Sequence, residues 1–79
     1  MKFISIGFGS YAQADRILAV ISPDSAPIRR KVQEARDAGH LIDATYGRKM
    51  RSVLQMDNGT LICVAVAPDT IAERIGEGK

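Results

Sequence analysis

The chain has 79 residues, of which 46% are hydrophobic and 25% charged, and its formal net charge is +2 at pH 7. This length predicts a single domain over residues 1–79, which buries only about 60% of the surface of the unfolded chain. One cysteine excludes an internal disulfide, and one cysteine with one histidine excludes a zinc site. No apolar run approaches the ~20 residues of a membrane helix, so we expect a cytoplasmic protein.

Two strands are predicted in the first part of the chain. Phe3–Ile6 mixes apolar and polar residues and ends at Gly7-Phe8-Gly9. The unbroken apolar run Ile17–Ile21 lies in a second strand, Arg16–Ser22, which we expect to be buried on both faces. The apolar residues of this segment also fall at helical spacing, so a helix is the alternative. Its β-branched residues and the Ser-Pro pair at its end favour a strand.

The main helix is predicted over about residues 25–38. Ser25 can cap its start, Pro27 suits its first turn, and Gly39 suits the position after its end. The cations of Arg29–Lys31 lie toward the end of the helix that disfavours positive charge, which hints at function, although a solvated helix face is the better explanation. The helix is amphipathic, with a narrow apolar stripe made of Ile28, Val32 and Ala35.

Three more strands are predicted in the second half. Leu41–Thr45 is the first, and Ser52–Met56 follows it. Asp57-Asn58-Gly59-Thr60 contains the strongest short hairpin signal, Asn-Gly, so the next strand, Thr60–Val66, should return beside its predecessor. Alternate residues of this last strand point to opposite faces, and both sets are apolar. Cys63 within it is therefore expected to be a buried apolar residue.

A short C-terminal helix is predicted over about residues 68–75. It starts at Pro68, and Thr70 and Glu73 are spaced as a capping box, whereas the tail Glu77–Lys79 is expected to be disordered. The fold class is therefore α+β, with a small mixed or antiparallel sheet of about five strands, one main helix and this short one. Two helices cannot cover both faces of such a sheet, so self-association is expected.

Three cations occur within four residues at Arg48-Lys49-Met50-Arg51, directly after Gly47. The glycine and the apolar run that follows predict a turn leading into a strand, so these cations should project from one exposed corner. Such a corner suits a polyanion better than a small substrate. The alternative is that the charges only keep a turn solvated and a sheet edge soluble.

No motif indicates an enzyme. Gly7-Phe8-Gly9-Ser10-Tyr11-Ala12 matches one form of the dinucleotide fingerprint, but the acidic residue that should follow a second strand falls at the start of the predicted helix. A tight turn explains these glycines better. The only histidine, His40, has no adjacent nucleophile and is expected to be solvated or to cap a helix.

Three segments carry a resemblance over almost the whole chain: Phe3-Ile4-Ser5-Ile6-Gly7-Phe8-Gly9, Ser22-Pro23-Asp24-Ser25-Ala26-Pro27-Ile28 and Asp43-Ala44-Thr45-Tyr46-Gly47-Arg48-Lys49. Together they resemble the RemA family of bacterial extracellular-matrix regulators. The resemblance implies a DNA-binding transcriptional activator of biofilm-matrix genes. It also implies a cyclic homo-oligomer, with an octamer as the ring size that the family suggests.

The resemblance places the family's DNA-contacting arginines on Arg16, on Arg48 and on the next position, which is Lys49 here. Lysine keeps the charge but lacks the planar fork of arginine, so a bidentate contact would become a point-charge contact. Arg51 matches a further basic position, whose role the resemblance does not define. Tyr46 stands where relatives often have histidine, and it could stack or bond to phosphate.

These observations lead to the hypothesis of an oligomeric, nucleoid-associated regulator that binds double-stranded DNA with a sequence preference. Its contacts would form a repeated cationic strip of Arg16, Arg48, Lys49 and Arg51. The competing hypothesis is an assembly or adaptor protein whose basic turn binds an acidic protein partner. A small-ligand sensor ranks third, and no cofactor and no membrane partner are expected.

Overall fold

The computed structural model describes residues 2–77. Glu77 follows the last helix, and the rest of the tail predicted to be disordered lies outside the described residues. In this part of the chain, neither helix is long and apolar enough to cross a membrane. The elements in chain order are β1 (Phe3–Gly7), β2 (Ser10–Gln13), β3 (Ile17–Ile21), α1 (Ala26–Asp37), β4 (Leu41–Ala44), β5 (Ser52–Met56), β6 (Leu61–Val64) and α2 (Pro68–Gly76).

The larger sheet contains four strands in the order β3-β5-β6-β4. β5 pairs antiparallel with both β3 and β6, whereas β4 pairs parallel with β6. A parallel pair needs a long connection, and here β5 and the turns on either side of it lie between the two strands in sequence. This mixed sheet with two helices confirms the α+β prediction, and Ile17–Ile21 is a strand and not the alternative helix.

One strand was missed by the sequence analysis. Ser10–Gln13 forms β2, which pairs antiparallel with β1 as a separate two-stranded sheet. The segment that matches a dinucleotide fingerprint is therefore the turn of a β-hairpin, and a strand follows it where the fingerprint requires a helix. Gly7 is needed in this turn because a Cβ there would lie 3.0 Å from Cγ2 of Val66, on a backbone with a φ of +103°.

Both faces of the larger sheet are covered. α1 covers one face, where Val32 packs with Val53 and Cys63, which is buried as predicted. The β1–β2 hairpin and α2 cover the other face. The predicted shortage of cover is therefore wrong, because the missed strand turns the N-terminal segment into a second layer. The buried residues of that layer and of the sheet beneath it are Ile4, Ile6, Ala12, Ala44, Leu54, Ile62, Val64 and Ile71.

Polar contacts fix the β1–β2 hairpin to α2. The ammonium group of Lys2 donates to the carbonyl oxygens of Arg74 and Ile75 at 2.8 and 3.2 Å, and the guanidinium of Arg74 donates to the carbonyl oxygen of Ser5 at 2.8 Å. A cation on the last carbonyl groups of a helix is electrostatically favourable. The hairpin is thus held by charge-assisted hydrogen bonds as well as by its apolar face.

The ends of α1 follow the sequence signals. The hydroxyl of Ser25 accepts a hydrogen bond from the N–H of Ile28 at 3.4 Å. At the other end Gly39 has a φ of +79°, and the N–H of His40 donates to the carbonyl of Ala35 at 2.8 Å. α1 therefore ends with a glycine in the left-handed conformation just after its last turn, as predicted.

The start of α2 was predicted at Pro68, which is confirmed, but the capping box is wrong. The cap position is Ala67, which makes no side-chain capping bond. Because Pro68 is the first helical residue, Thr70 lies inside the first turn and not before it. A proline at this position needs no donor partner, so the helix starts without a polar cap.

The outer strands of the larger sheet, β3 and β4, each expose one large apolar side chain. Leu18 of β3 is 64% exposed and Ile42 of β4 is 53% exposed. Leu18 falls where the pairing of β3 with β5 shifts register, between Ile17 and Ala19. Such a bulge turns a side chain away from its regular face. The prediction that this strand is buried on both faces is wrong, because Leu18 is exposed and the other residues of β3 are only partly buried.

Candidate nucleic-acid interface

The predicted basic turn connects β4 to β5, and its three cations are Arg48, Lys49 and Arg51, all exposed. The backbone N–H of Arg51 donates to the carbonyl of Val64 at 2.8 Å, so the β5–β6 ladder already begins at this residue. The turn is therefore anchored at its exit by the sheet. We call Arg48, Lys49 and Arg51 the basic corner.

Asp43 anchors the entry to the same turn. Its carboxylate accepts the backbone N–H of Thr45 at 2.9 Å and the Thr45 hydroxyl at 2.6 Å. These two hydrogen bonds, the one from the hydroxyl first, hold the pKa of Asp43 below its usual value of 3.8. A carboxylate that bonds to the chain two residues on fixes a local turn. The backbone that carries the basic corner is thus fixed on both sides.

The entry of the basic turn has an uncommon conformation. The N–H of Arg48 donates to the carbonyl of Thr45 at 3.1 Å, and the two residues between them, Tyr46 and Gly47, have φ values of 52° and 81°. Positive φ at both central residues is the pattern of a type I′ turn. Placing a side chain such as that of Tyr46 in the left-handed region costs about 1–2 kcal/mol.

The β1–β2 hairpin has a turn of the same kind. Gly7 pairs with Ser10, and the two residues between them, Phe8 and Gly9, have φ values of 54° and 84°. Type I′ turns favour asparagine or aspartate before the glycine, because their side chains tolerate the left-handed region. Among residues 2–77, Phe8 and Tyr46 are the two non-glycine residues with positive φ, and both are aromatic.

The two turns touch each other through these aromatic side chains. The ring centroids of Phe8 and Tyr46 are 6.3 Å apart with an edge-on angle of 61°. The Tyr46 hydroxyl lies 3.0 Å from the Ser10 hydroxyl, and the two share a hydrogen bond. The guanidinium carbon of Arg48 lies 3.7 Å from the Phe8 ring centroid, a close cation–π contact. We call Phe8, Tyr46 and Arg48 the aromatic corner.

Sequence reasoning missed Phe8 and left the contact of Tyr46 open between stacking and phosphate binding. The structure gives both residues a protein contact, because each ring packs on the other. A signal was present in the sequence, since both turns read aromatic-glycine, Phe8-Gly9 and Tyr46-Gly47. That signal becomes readable only when both pairs are known to lie in turns.

Arg16 lies apart from the basic corner. It immediately precedes β3, whose first residue Ile17 pairs with Met56 at the end of β5, whereas Arg51 precedes the start of β5. The two ends are separated by about 13 Å of strand, at roughly 3.3 Å per residue. The structure does not bring Arg16 together with the other three predicted contact residues in one subunit, so a continuous strip requires neighbouring copies of the chain.

Arg16 also differs from the basic corner in being paired. Its guanidinium lies 2.9 Å from the carboxylate of Asp57, in the one ion pair found within residues 2–77. The N–H of Asp57 in turn donates to the carbonyl of Arg16 at 2.9 Å. The Arg16 side chain is 60% exposed, so this pair contributes at most about 1 kcal/mol. Arg16 can therefore exchange Asp57 for another anion.

Arg29 of α1 extends the basic corner. It lines one shallow groove with Lys49, together with Pro23, Asp24 and Met50. Its guanidinium donates to the carbonyl of Pro23 at 3.4 Å, just before the start of α1. The structure places Arg29 in one groove with Lys49 and with the acidic Asp24, and the functional hint from Arg29–Lys31 stays a prediction.

Cys63 and His40 are the remaining candidate groups for chemistry, and they lie in different surroundings. Burial raises the pKa of the Cys63 thiol, and the nearby charge of Asp43 raises it further, so the thiol stays protonated. His40 is exposed at the end of α1. Within residues 2–77 no group of three His, Cys, Asp or Glu side chains could hold a metal ion.

Comparison with known proteins gives consistent matches over nearly the whole chain. The model of a family described as RemA-like, extracellular matrix regulatory protein A-like, matches residues 3–75. A candidate regulatory protein of Carboxydothermus hydrogenoformans is 55% identical over 75 residues, which cover 95% of this chain and 86% of that protein. Candidate regulatory proteins of Bacillus cytotoxicus and Bacillus mycoides are each 52% identical with the same coverage.

Proposed function

Because the chain belongs to the RemA-like family, whose relatives are named as regulatory proteins, we propose that it is an oligomeric, DNA-binding regulator of transcription. The basic corner contacts the phosphates of double-stranded DNA, and Arg16 makes a second, separate contact. The protein activates genes of the extracellular-matrix type, in keeping with the description of its family.

One observation carries the proposal: three exposed cations occupy one fixed turn without an acidic partner among residues 2–77. The ion pair found in this range joins Arg16 to Asp57 and involves none of Arg48, Lys49 and Arg51. Cations that only keep an edge soluble need no fixed backbone, whereas this turn is anchored at Asp43 and at Arg51. A fixed cluster of unpaired cations suits a regular array of phosphates.

Repetition supplies the affinity in this proposal. One subunit makes only a few phosphate contacts, and each contact releases about one counterion from the duplex. Subunits joined in one assembly present successive corners to the same duplex, so later contacts benefit from a high effective concentration. Sequence preference then arises mainly from how readily a duplex bends to reach successive subunits.

Exposed apolar side chains on the outer strands support self-association. Leu18 and Ile42 project from opposite edges of the larger sheet, and each is more than half exposed. Both strands also present unpaired backbone groups, which can pair with a strand of another chain. Contact between two different edges is head-to-tail, and a head-to-tail contact that closes produces a ring.

The DNA contact is tested by fluorescence anisotropy with AT-rich and mixed-sequence duplexes at several salt concentrations. We expect a steep linear fall of log affinity with log salt, and a difference between the duplexes that reports sequence preference. In Arg48→Ala the slope should decrease by about 0.9 for each phosphate that the variant no longer neutralises. Lys31→Ala is the matched control, because Lys31 lies in a groove with His40 and Gly59, beside the β5–β6 turn.

Two outcomes contradict the proposal. Equal effects of Arg48→Ala and Lys31→Ala would show that only net charge matters and that the basic corner is not the contact surface. An absence of binding at low salt would exclude a DNA function for this chain. The competing adaptor function would instead show binding to an acidic protein, with the shallow salt dependence of a few screened ion pairs.

Self-association is tested by light scattering on Leu18→Asp and Ile42→Asp. A charge on either edge should leave the chain folded but block one side of a head-to-tail contact, so each variant alone should be smaller than the wild type. An equimolar mixture should form a dimer, since each variant keeps the edge that is blocked in the other. Dimers of either variant alone would indicate that like edges pair, a mixture that stays monomeric would contradict the head-to-tail contact, and a monomeric wild type would exclude the assembly.

A further inference from the structure

Two turns that are far apart in sequence share one unusual design. In each, an aromatic residue occupies the left-handed position before a glycine, at Phe8-Gly9 and at Tyr46-Gly47. Asparagine is the residue that such turns favour before the glycine. Backbone strain of this kind persists where the surroundings hold it and is concentrated at functional sites. Both strained residues place their rings at the aromatic corner.

This arrangement orients one guanidinium group, that of Arg48. The Phe8 ring lies against Arg48, with 3.7 Å between the ring centroid and the guanidinium carbon, and the Tyr46 ring meets Phe8 edge-on. The hydrogen bond between Tyr46 and Ser10 joins the two turns beside this contact. A guanidinium that packs against a ring through its carbon keeps N–H groups available for an outside acceptor.

We propose that Phe8 is a positioning residue for DNA recognition: its ring, held by Tyr46, orders the Arg48 side chain before DNA arrives. This inference rests on the proposed DNA-binding function. It assigns a role to the β1–β2 hairpin, which carries none of the cations of the basic corner. The tip of the hairpin becomes part of the interface because it fixes an arginine of another loop.

The physical gain comes from pre-ordering. A free arginine side chain samples many rotamers, and binding a phosphate or a base edge restricts it. A side chain that is already held loses less freedom on binding. Since an assembly repeats the contact in every subunit that touches the duplex, a modest gain per subunit is multiplied.

The sharpest variant is Phe8→Asn. Asparagine fits the left-handed turn position better than phenylalanine, so the hairpin should fold with a melting temperature within a few degrees of the wild type. DNA affinity should nevertheless fall by about fivefold for each engaged subunit, the size of an exposed cation–π contact. A purely structural residue would lower stability and affinity together. Unchanged affinity in this variant would overturn the proposal.

Two further measurements separate positioning from direct contact. The salt slope should be unchanged in Phe8→Asn, since the number of cations on DNA is the same, whereas Arg48→Ala reduces it. In the Arg48→Ala background, Phe8→Asn should have no further effect. A further loss there would mean that Phe8 touches DNA itself and would overturn the positioning role. Phe8→Trp should bind DNA at least as tightly as the wild type, because tryptophan provides the better cation–π face.

A measurement without DNA keeps this inference distinct from the proposed function. In the free protein, ring currents should shift the NMR signals of the Arg48 side-chain protons upfield, and Phe8→Asn should abolish the shift. Arg29 provides the internal control, because its guanidinium is bonded to Pro23 and not to a ring. Absence of the shift in the wild type would overturn the inference even if DNA binds. Presence of the shift with no DNA binding would instead reject the proposed function.

Discussion

Arginine lies beside each end of β5, yet the arginines at the two ends differ in the contacts that they make. At the start of the strand, Arg48 and Arg51 have no acidic partner within the described residues, and one of them is stacked on an aromatic ring. At the other end Arg16 is bound to Asp57 at 2.9 Å. A cation in the sequence can bind an outside anion directly only if the fold leaves it unpaired. The number of cations in the sequence therefore overstates the number that are available for binding.

The comparison also separates rigid from exchangeable contacts. The backbone of the basic corner is held by a turn and by the carboxylate of Asp43, so the places from which its cations project are fixed. Arg16 depends on one exposed ion pair, which DNA can replace. We therefore expect the corner to supply most of the affinity, and Arg16 to supply a smaller part that depends on Asp57.

The largest effect should come from reversing charge at the basic corner. Arg48→Glu with Arg51→Glu replaces two cations by two anions in every subunit, and DNA affinity should fall by at least about 100-fold in anisotropy titrations. Arg30→Glu with Lys31→Glu changes net charge equally on the exposed face of α1 and should cost far less. Similar losses in both double variants would show that the two surfaces are equivalent.

A smaller, opposite effect should follow from releasing Arg16. Asp57→Asn removes the anion that holds Arg16, so DNA affinity should increase by about threefold to fivefold, with a steeper salt slope. Arg16→Ala should lower affinity less than Arg48→Ala does. A decrease in affinity on Asp57→Asn would mean that the ion pair positions Arg16 for DNA and does not compete with it.

Lys49→Arg should raise DNA affinity by roughly twofold to threefold, because the planar guanidinium of arginine adds a second hydrogen bond to a phosphate. Lys49 is exposed in the groove that it shares with Arg29, so the longer side chain has room. Anisotropy at one salt concentration is enough to measure it. A loss of affinity would show that the groove near Asp24 traps the arginine instead.

The smallest effect concerns the anchor of the basic turn and acts through pH. The pKa of Asp43 is lower in the folded chain than its usual value of 3.8, so the carboxylate stabilises the fold fully above pH 3.8. This stabilisation is lost as the pH falls through the lower, folded-state pKa. The melting-temperature difference between the wild type and Asp43→Asn should be constant above about pH 5 and shrink below about pH 4. A constant difference throughout would show that the Asp43 hydrogen bonds do not depend on its charge.

The predictable parts of the fold are those set by local chemistry. Ser25 and Gly39 define the ends of α1, and the Asn-Gly pair at residues 58–59 marks the β5–β6 hairpin, because caps and turns act within a few residues. β2 was missed because its turn uses Phe8 where asparagine is usual. With that turn unrecognised, the second layer of the fold was also missed, and the cover of the sheet was miscounted.

The candidate site was predictable as a group of charges but not as a surface. The cations of the basic corner are adjacent in sequence, so their common location follows from one turn. The pairing of Arg16 with Asp57 depends on the register between β3 and β5, and the contact of Arg48 with Phe8 joins residues 40 positions apart. Such long-range contacts depend on how whole elements pack, which spacing along the chain does not encode.

The order of strands in the larger sheet imposes a condition on the evolution of the basic corner. β4 and β5 are consecutive in sequence, but β6 lies between them, so residues 45–51 must bridge the end of that strand. Two inter-strand spacings amount to about 10 Å. The exposed charged side chains of this bridge can change without moving the strands, whereas a deletion would draw two strands out of register. The fold therefore constrains the length of this segment more tightly than its charge, so insertions and deletions there should be rare.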